Sequence, residues 1–214
     1  MRAIDAPGHG AASEIRADLW AAAELAVETI GRGVYLGYSM GGRIALHAAL
    51  ARPDAVEALV LVSATAGIDD TAERAQRAAA DDALATHIEV VGIDVFVDEW
   101  LANPLFAGLE DTTTFASERR RNSAAGLASS LRLVGTGHQE PLWDRLAELT
   151  MPVLVVAGRD DPKFVDSAAR LATAIGTDAT LAIIEGAGHS VHLERPMAFI
   201  DVLDSWLDAR LDQM

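Results

Sequence analysis

Short apolar runs alternate along this chain with stretches whose apolar residues recur at helical spacing. The runs at Arg2–Asp5, Val34–Gly37, Leu59–Ser63, Val153–Gly158 and Leu181–Glu185 are brief and bounded by turn residues, as expected for strands buried on both faces. The segments at about Asp18–Ile30, Met40–Ala51, Val165–Ile175 and Pro196–Leu211 carry the period of amphipathic helices. Such alternation predicts an α/β fold built on a doubly wound, mostly parallel sheet. Between Ile68 and Trp143 the rhythm gives way to helical sequence rich in Ala, Arg and Asp, with no buried strand. Residues 68–143 are therefore expected to form a helical lid, inserted into a core made of residues 1–67 and 144–214.

Composition narrows the function. With 214 residues, 50% of them hydrophobic and 23% charged, the chain can bury one sizeable core. It has no cysteine, so disulfides and thiolate metal ligands are excluded. No apolar run reaches the roughly 18 residues of a membrane span, and no signal-peptide pattern opens the chain. The expectation is a cytoplasmic protein without a membrane partner. Its 17 basic and 32 acidic residues leave a net charge of −15, which argues against nucleic acid, whose phosphates need clustered Lys and Arg.

The candidate chemistry starts at Gly37-Tyr38-Ser39-Met40-Gly41. A G-x-S-x-G elbow between a strand and a helix exposes its serine on a strained turn, where only small neighbours fit. Serine is a poor nucleophile until a histidine takes its proton and a carboxylate fixes the imidazole tautomer. Folds with this elbow supply those partners in the order serine, acid, histidine. Here the apolar run Pro152–Gly158 delivers Asp160 and Asp161, and the next run leads into Gly186-Ala187-Gly188-His189-Ser190. His189, between small residues beyond a strand, is the candidate base, and His192 lies on the approach to a helix starting near Pro196. Spacing leaves the choice between Asp160 and Asp161 open.

Over its whole length the chain resembles the α/β-hydrolase superfamily. Within it, the chain is most similar to the 2-succinyl-6-hydroxy-2,4-cyclohexadiene-1-carboxylate synthases of the menaquinone pathway. The narrower resemblance rests on Gly37-Tyr-Ser-Met-Gly-Gly-Arg43, Trp100-Leu-Ala-Asn-Pro-Leu-Phe106, Gly135-Thr-Gly-His-Gln-Glu-Pro-Leu-Trp143 and Asp161-Pro-Lys-Phe164. The resemblance implies Ser39, Asp161 and His189 as the catalytic residues and the Met40 N–H as an oxyanion donor. The implied reaction removes a proton from the substrate's carbon skeleton and eliminates pyruvate, with neither cofactor nor metal. A multiply carboxylated small molecule needs fixed cations. Arg43, near the serine, and Lys163, the only lysine, are candidates, with Arg77 and Arg121 from the lid and Tyr38 and Trp143 as pocket walls.

The front departs from the family. Met1-Arg-Ala-Ile-Asp-Ala-Pro-Gly-His-Gly10 resembles the superfamily's fourth strand and its D-x-P-G-H-G loop, so the resemblance implies that earlier strands are missing. With them goes the loop that gives the second oxyanion N–H. The expected consequence is a gap with two unpaired edges inside the sheet, between Arg2–Asp5 and the elbow strand. A carboxylic-ester hydrolase acting through Ser39 and an inactive fragment are the alternatives.

Overall fold

The structure is a computed structural model and describes residues 1–106, 108–109 and 112–211. Four parallel strands, β1 (Gly33–Tyr38), β2 (Val56–Val62), β3 (Val153–Gly158) and β4 (Ala179–Ile184), lie side by side in chain order. The helices are α1 (Leu19–Ile30), α2 (Met40–Ala51), α3 (Thr71–Leu101), α4 (Thr112–Arg119), α5 (Ala124–Val134), α6 (Pro162–Ile175), α7 (Val191–Glu194) and α8 (Pro196–Leu211).

The period of two along the strands divides the core. Leu59, Leu61, Val153 and Val155 pack with Val27, Leu46 and Leu171 from α1, α2 and α6. Their neighbours Val60, Val62, Leu154 and Val156 face the other side, against Val191, Phe199 and Trp206 of α7 and α8. Buried on both faces, β2 and β3 therefore have no polar side chain within their spans apart from Glu57. The second face is covered only in part. Val34 and Leu36, on the same side of β1 as Tyr38, remain 47% and 48% exposed.

Local signals set the helix ends. The Asp18 side chain accepts the Ala21 N–H at 2.9 Å at the start of α1, and Gly31 ends it at φ 77°. Asp161 caps α6, with Pro162 in the first turn, where a missing N–H costs nothing.

One expected strand is absent: Arg2–Asp5 does not join the sheet. A strand needs a row of backbone partners, and here it is the side chains that are engaged. Arg2 Nη1 donates to the Thr29 carbonyl (3.0 Å), and the Asp5 carboxylate accepts the Ala11 N–H (2.9 Å), folding residues 5–12 into a compact loop. The expected gap between two strands is thus replaced by a sheet whose edges are β1 and β4.

The helices between β2 and β3 stand over the carboxyl ends of the strands. α3 kinks at Gly92 (φ 79°, ψ 171°), a conformation open to glycine, and the turns beyond the kink bring Phe96, Val97 and Trp100 to the cavity described next.

Candidate active site

Ser39 sits between β1 and α2 at φ 49°, ψ −109°, a backbone conformation that costs a non-glycine residue on the order of 1–3 kcal/mol. Gly37 permits the turn: a Cβ there would run into the Gly41 carbonyl and the Gly42 nitrogen. The turn points the serine Oγ into a cavity of about 500 Å³. It also makes Met40 the first residue of α2, whose N–H has no carbonyl one turn back.

His189 comes from β4, three strands away from β1 or roughly 14 Å at ~4.8 Å per strand. Its loop arches back over the ends of β3 and β2. Gly158, ending β3, makes room, since a Cβ would meet the Ala187 and Gly188 carbonyls. Ser63, just past β2 at φ 47°, donates its hydroxyl to the His189 carbonyl (2.8 Å). The arch places His189 Nε2 3.2 Å from Ser39 Oγ and Nδ1 2.8 Å from Asp161 Oδ2. With Nδ1–H donating to the carboxylate, Nε2 is left to accept the serine proton. The ring is 3% exposed and held between Phe164 (centroids 4.4 Å apart) and Tyr38 (5.3 Å).

The rival residues lie apart from this contact. Asp160 is exposed and meets no ring; Asp161 both caps α6 and holds the histidine. His192 packs on Tyr38 (4.6 Å) with Nδ1 buried and without a hydrogen-bond partner among the described residues, and burial lowers its pKa.

Four of the 17 basic residues line the cavity: Arg43, Arg77, Lys163 and Arg119. Among the described residues the one carboxylate lining it is Asp161. Arg43 is 7% exposed and donates to the Val134 carbonyl (2.6 Å); burial first, then the Arg77 charge, bring its pKa down to about 10. Arg77 pairs with buried Asp81 (2.8 Å). Lys163 is exposed at the mouth, with no carboxylate within 4.0 Å among the described residues. Tyr38 also lines the cavity, its hydroxyl 3.0 Å from Ser190 Oγ and its pKa raised by burial.

Two residues expected at the cavity, the cation Arg121 and the wall residue Trp143, are elsewhere. Arg121 is exposed and paired with Glu118 (2.7 Å), because the turn after α4 carries it outward. Trp143 is tied down by its Nε1–H to the Gly67 carbonyl (3.0 Å) and covered by the Arg170 guanidinium, away from the cavity.

Sequence reasoning passed over Arg119. Its guanidinium lies 5.3 Å from the centre of the Phe106 ring on the cavity wall; burial lowers its pKa, and its Nε is buried without a partner among the described residues. The signal was present as the last residue of a helix in the Arg119-Arg120-Arg121 run, but the run alone does not say which member turns inward. His9, from the D-x-P-G-H-G loop, also lines the cavity. An apolar part of the wall comes from Leu84, Ile88, Phe96, Val97, Trp100 and Phe106.

Among the described residues no group of His, Asp and Glu could hold a metal ion, and no helix is long and apolar enough to cross a membrane.

Comparison with known proteins identifies the family and the fold. The family model described as alpha/beta hydrolase family matches residues 2–202. A Bacillus subtilis (strain 168) protein with the provisional name 2-succinyl-6-hydroxy-2,4-cyclohexadiene-1-carboxylate synthase is 37% identical over 177 residues. That match takes in 80% of this chain and 64% of the Bacillus protein, so the chain spans a little under two thirds of that relative. The synthase of the same name from Serratia proteamaculans (strain 568) is 32% identical over 218 residues, covering 96% of this chain and 82% of its own. Among solved structures, MenH from S. aureus superposes with a TM-score of 0.90 at 32% identity, over 96% of this chain and 82% of that one. Sheet order, elbow and the match over most of the length agree: the chain belongs to the alpha/beta hydrolase family.

Proposed function

We propose that this protein is a carbon–oxygen lyase that eliminates pyruvate from an anionic cyclohexene carboxylate in menaquinone synthesis, a reading supported by its Bacillus and Serratia relatives, whose names are those of 2-succinyl-6-hydroxy-2,4-cyclohexadiene-1-carboxylate synthases. The observation that carries the reading is the placement of four cations around the Ser39–His189 contact in a chain of net charge −15. Arg43, Arg77, Arg119 and Lys163 line the cavity; among the described residues its one lining carboxylate is engaged with His189 and Arg77 is paired with Asp81, so a polycarboxylate finds Arg43, Arg119 and Lys163 with no carboxylate partner of their own.

In this reading Ser39 and His189 act together as the base. His189 Nε2 takes the serine proton as Oγ removes a proton from a substrate carbon, and Asp161 stabilises the imidazolium. The C–H electron pair becomes a new ring double bond and the C–O bond breaks. The three-carbon fragment leaves as an enolate that regains the proton and becomes pyruvate. No covalent serine intermediate and no cofactor enter. The Met40 N–H, at the positive end of α2, faces charge that develops on oxygen. Residues 68–143 serve as the lid, closing the cavity with the apolar wall and Arg119, and the enzyme works in the cytoplasm on a soluble substrate.

That apolar wall favours a second reading, a carboxylic-ester hydrolase with Ser39 as covalent nucleophile. One experiment separates the two. Purified protein is given the cyclohexene substrate, with ultraviolet detection of the ring diene and a coupled assay for pyruvate, and in parallel neutral aryl esters. Equimolar diene and pyruvate support the lyase. Ester turnover without either product refutes it.

A further inference from the structure

We propose that Glu194 is a positioning residue that fixes the His189 base in register with Ser39, an inference that rests on the triad having the role given above. The loop from Gly186 to Ser190 has two glycines, one at φ 66°, and would sample many conformations if left to itself. Glu194 closes on it from the last residue of α7. Its Oε2 accepts the Gly188 N–H at 2.7 Å and its Oε1 accepts the Ser190 N–H at 2.9 Å, so one carboxylate grips the backbone on both sides of the histidine. Hydrogen bonds to an ionised acceptor are roughly twice as strong as neutral ones. The Ser63 hydroxyl holds the carbonyl of the residue between them.

An ordinary surface carboxylate would turn to the adjacent arginine. Here Arg195 Nη1 donates to the Glu194 backbone carbonyl (3.0 Å), and both carboxylate oxygens go to the loop. Gly108 packs directly on that carboxylate, since a Cβ there would collide with it. Glu194 is not among the residues lining the cavity, so its effect on the reaction runs through His189. Displacing a catalytic group by about 1 Å costs about 100-fold in rate, the scale on which the clamp acts.

The test is Glu194→Gln, which keeps the shape but sets an NH₂ group against one of the two amides. The expected result is a kcat about 10- to 100-fold lower with KM within about twofold. The downfield proton resonance of His189 Nδ1–H should move or broaden in the folded variant. Glu194→Asp, one methylene too short to span both amides, should do the same. A folded Gln variant whose resonance is unmoved overturns the proposal, whatever its activity, because a merely stabilising carboxylate would not touch that proton. Should neither variant fold, hydrogen exchange in the parent decides: slow Gly188 and Ser190 amides support the clamp and fast ones overturn it. The resonance and exchange measurements need no substrate, so a parent that fails to eliminate pyruvate refutes the lyase reading without deciding this one.

Discussion

Acidification should destabilise the fold through His47, and the size of the effect follows from where the ring sits. His47 lies on α2, 1% exposed, with Trp20 edge-on at 4.5 Å and Nδ1–H donating to the Arg43 carbonyl at 2.7 Å. Burial is the main cause that holds its pKa down to about 4 from an ordinary 6.5; the carbonyl bond opposes this, and the Arg43 and Arg145 charges add to it. In the unfolded chain the imidazole gains its proton near pH 6.5, whereas the folded state refuses it until about pH 4. Between those values the unfolded state binds more protons, so stability falls as the pH falls through that window. At 1.36 kcal/mol per pH unit the loss attributable to this one ring is about 3 kcal/mol when pH 4 is reached. The assay is urea unfolding of the parent and of His47→Gln, which keeps a donor for the Arg43 carbonyl but does not titrate, between about pH 7 and pH 4. Carboxylates titrate alike in both proteins, so the difference between the curves isolates His47. The parent should lose about 3 kcal/mol relative to the variant, and curves that stay parallel would refute the reasoning.

Three further outcomes are expected. Ser39→Ala and His189→Ala should each abolish nearly all turnover, and the double variant should be little worse than either, because the two groups act as a unit; an active Ser39→Ala enzyme would contradict the mechanism. Arg119→Ala should weaken transition-state binding by about 1.5–3 kcal/mol, the worth of a hydrogen bond to a charged group. Arg121→Ala, which removes only an exposed ion pair, should leave kcat/KM unchanged, and equal losses in the two would place the wrong arginine in the cavity. Gly37→Ala should push α2 away from β1, with a thermal-melt loss of about 1–3 kcal/mol and a fall in kcat; an unperturbed melt would show that the turn has room to spare.

Much of the site could be read from the chain because its signals are local. The elbow glycines, the apolar strands and the residues that follow them place Ser39, the Asp160–Asp161 pair and His189 at strand ends, the choice of Asp161 follows from the family resemblance, and one sheet carries all three. The failures share a cause as well. Arg2–Asp5 has the length of a strand, but strand formation depends on a neighbouring row of amides that no local pattern encodes. In Arg119-Arg120-Arg121 each residue is rotated about 100° from the last, so the inward member depends on where α4 stops. The resemblance implies Trp143 at the cavity, while its indole N–H has a partner in the Gly67 carbonyl that no local pattern encodes. Glu194 escaped notice because its partners are backbone amides, which every residue possesses.

The arch that carries His189 back to Ser39 joins positions 150 residues apart. Contacts of such long separation are closed late in folding, after loop entropy has been overcome and the strands between them have docked. In the proposed mechanism the serine gains its base only when this contact closes, since neither the elbow nor the histidine loop generates a base alone. In refolding experiments the return of catalysis should trail the return of helical circular dichroism, making turnover a reporter of the final closure rather than of chain collapse.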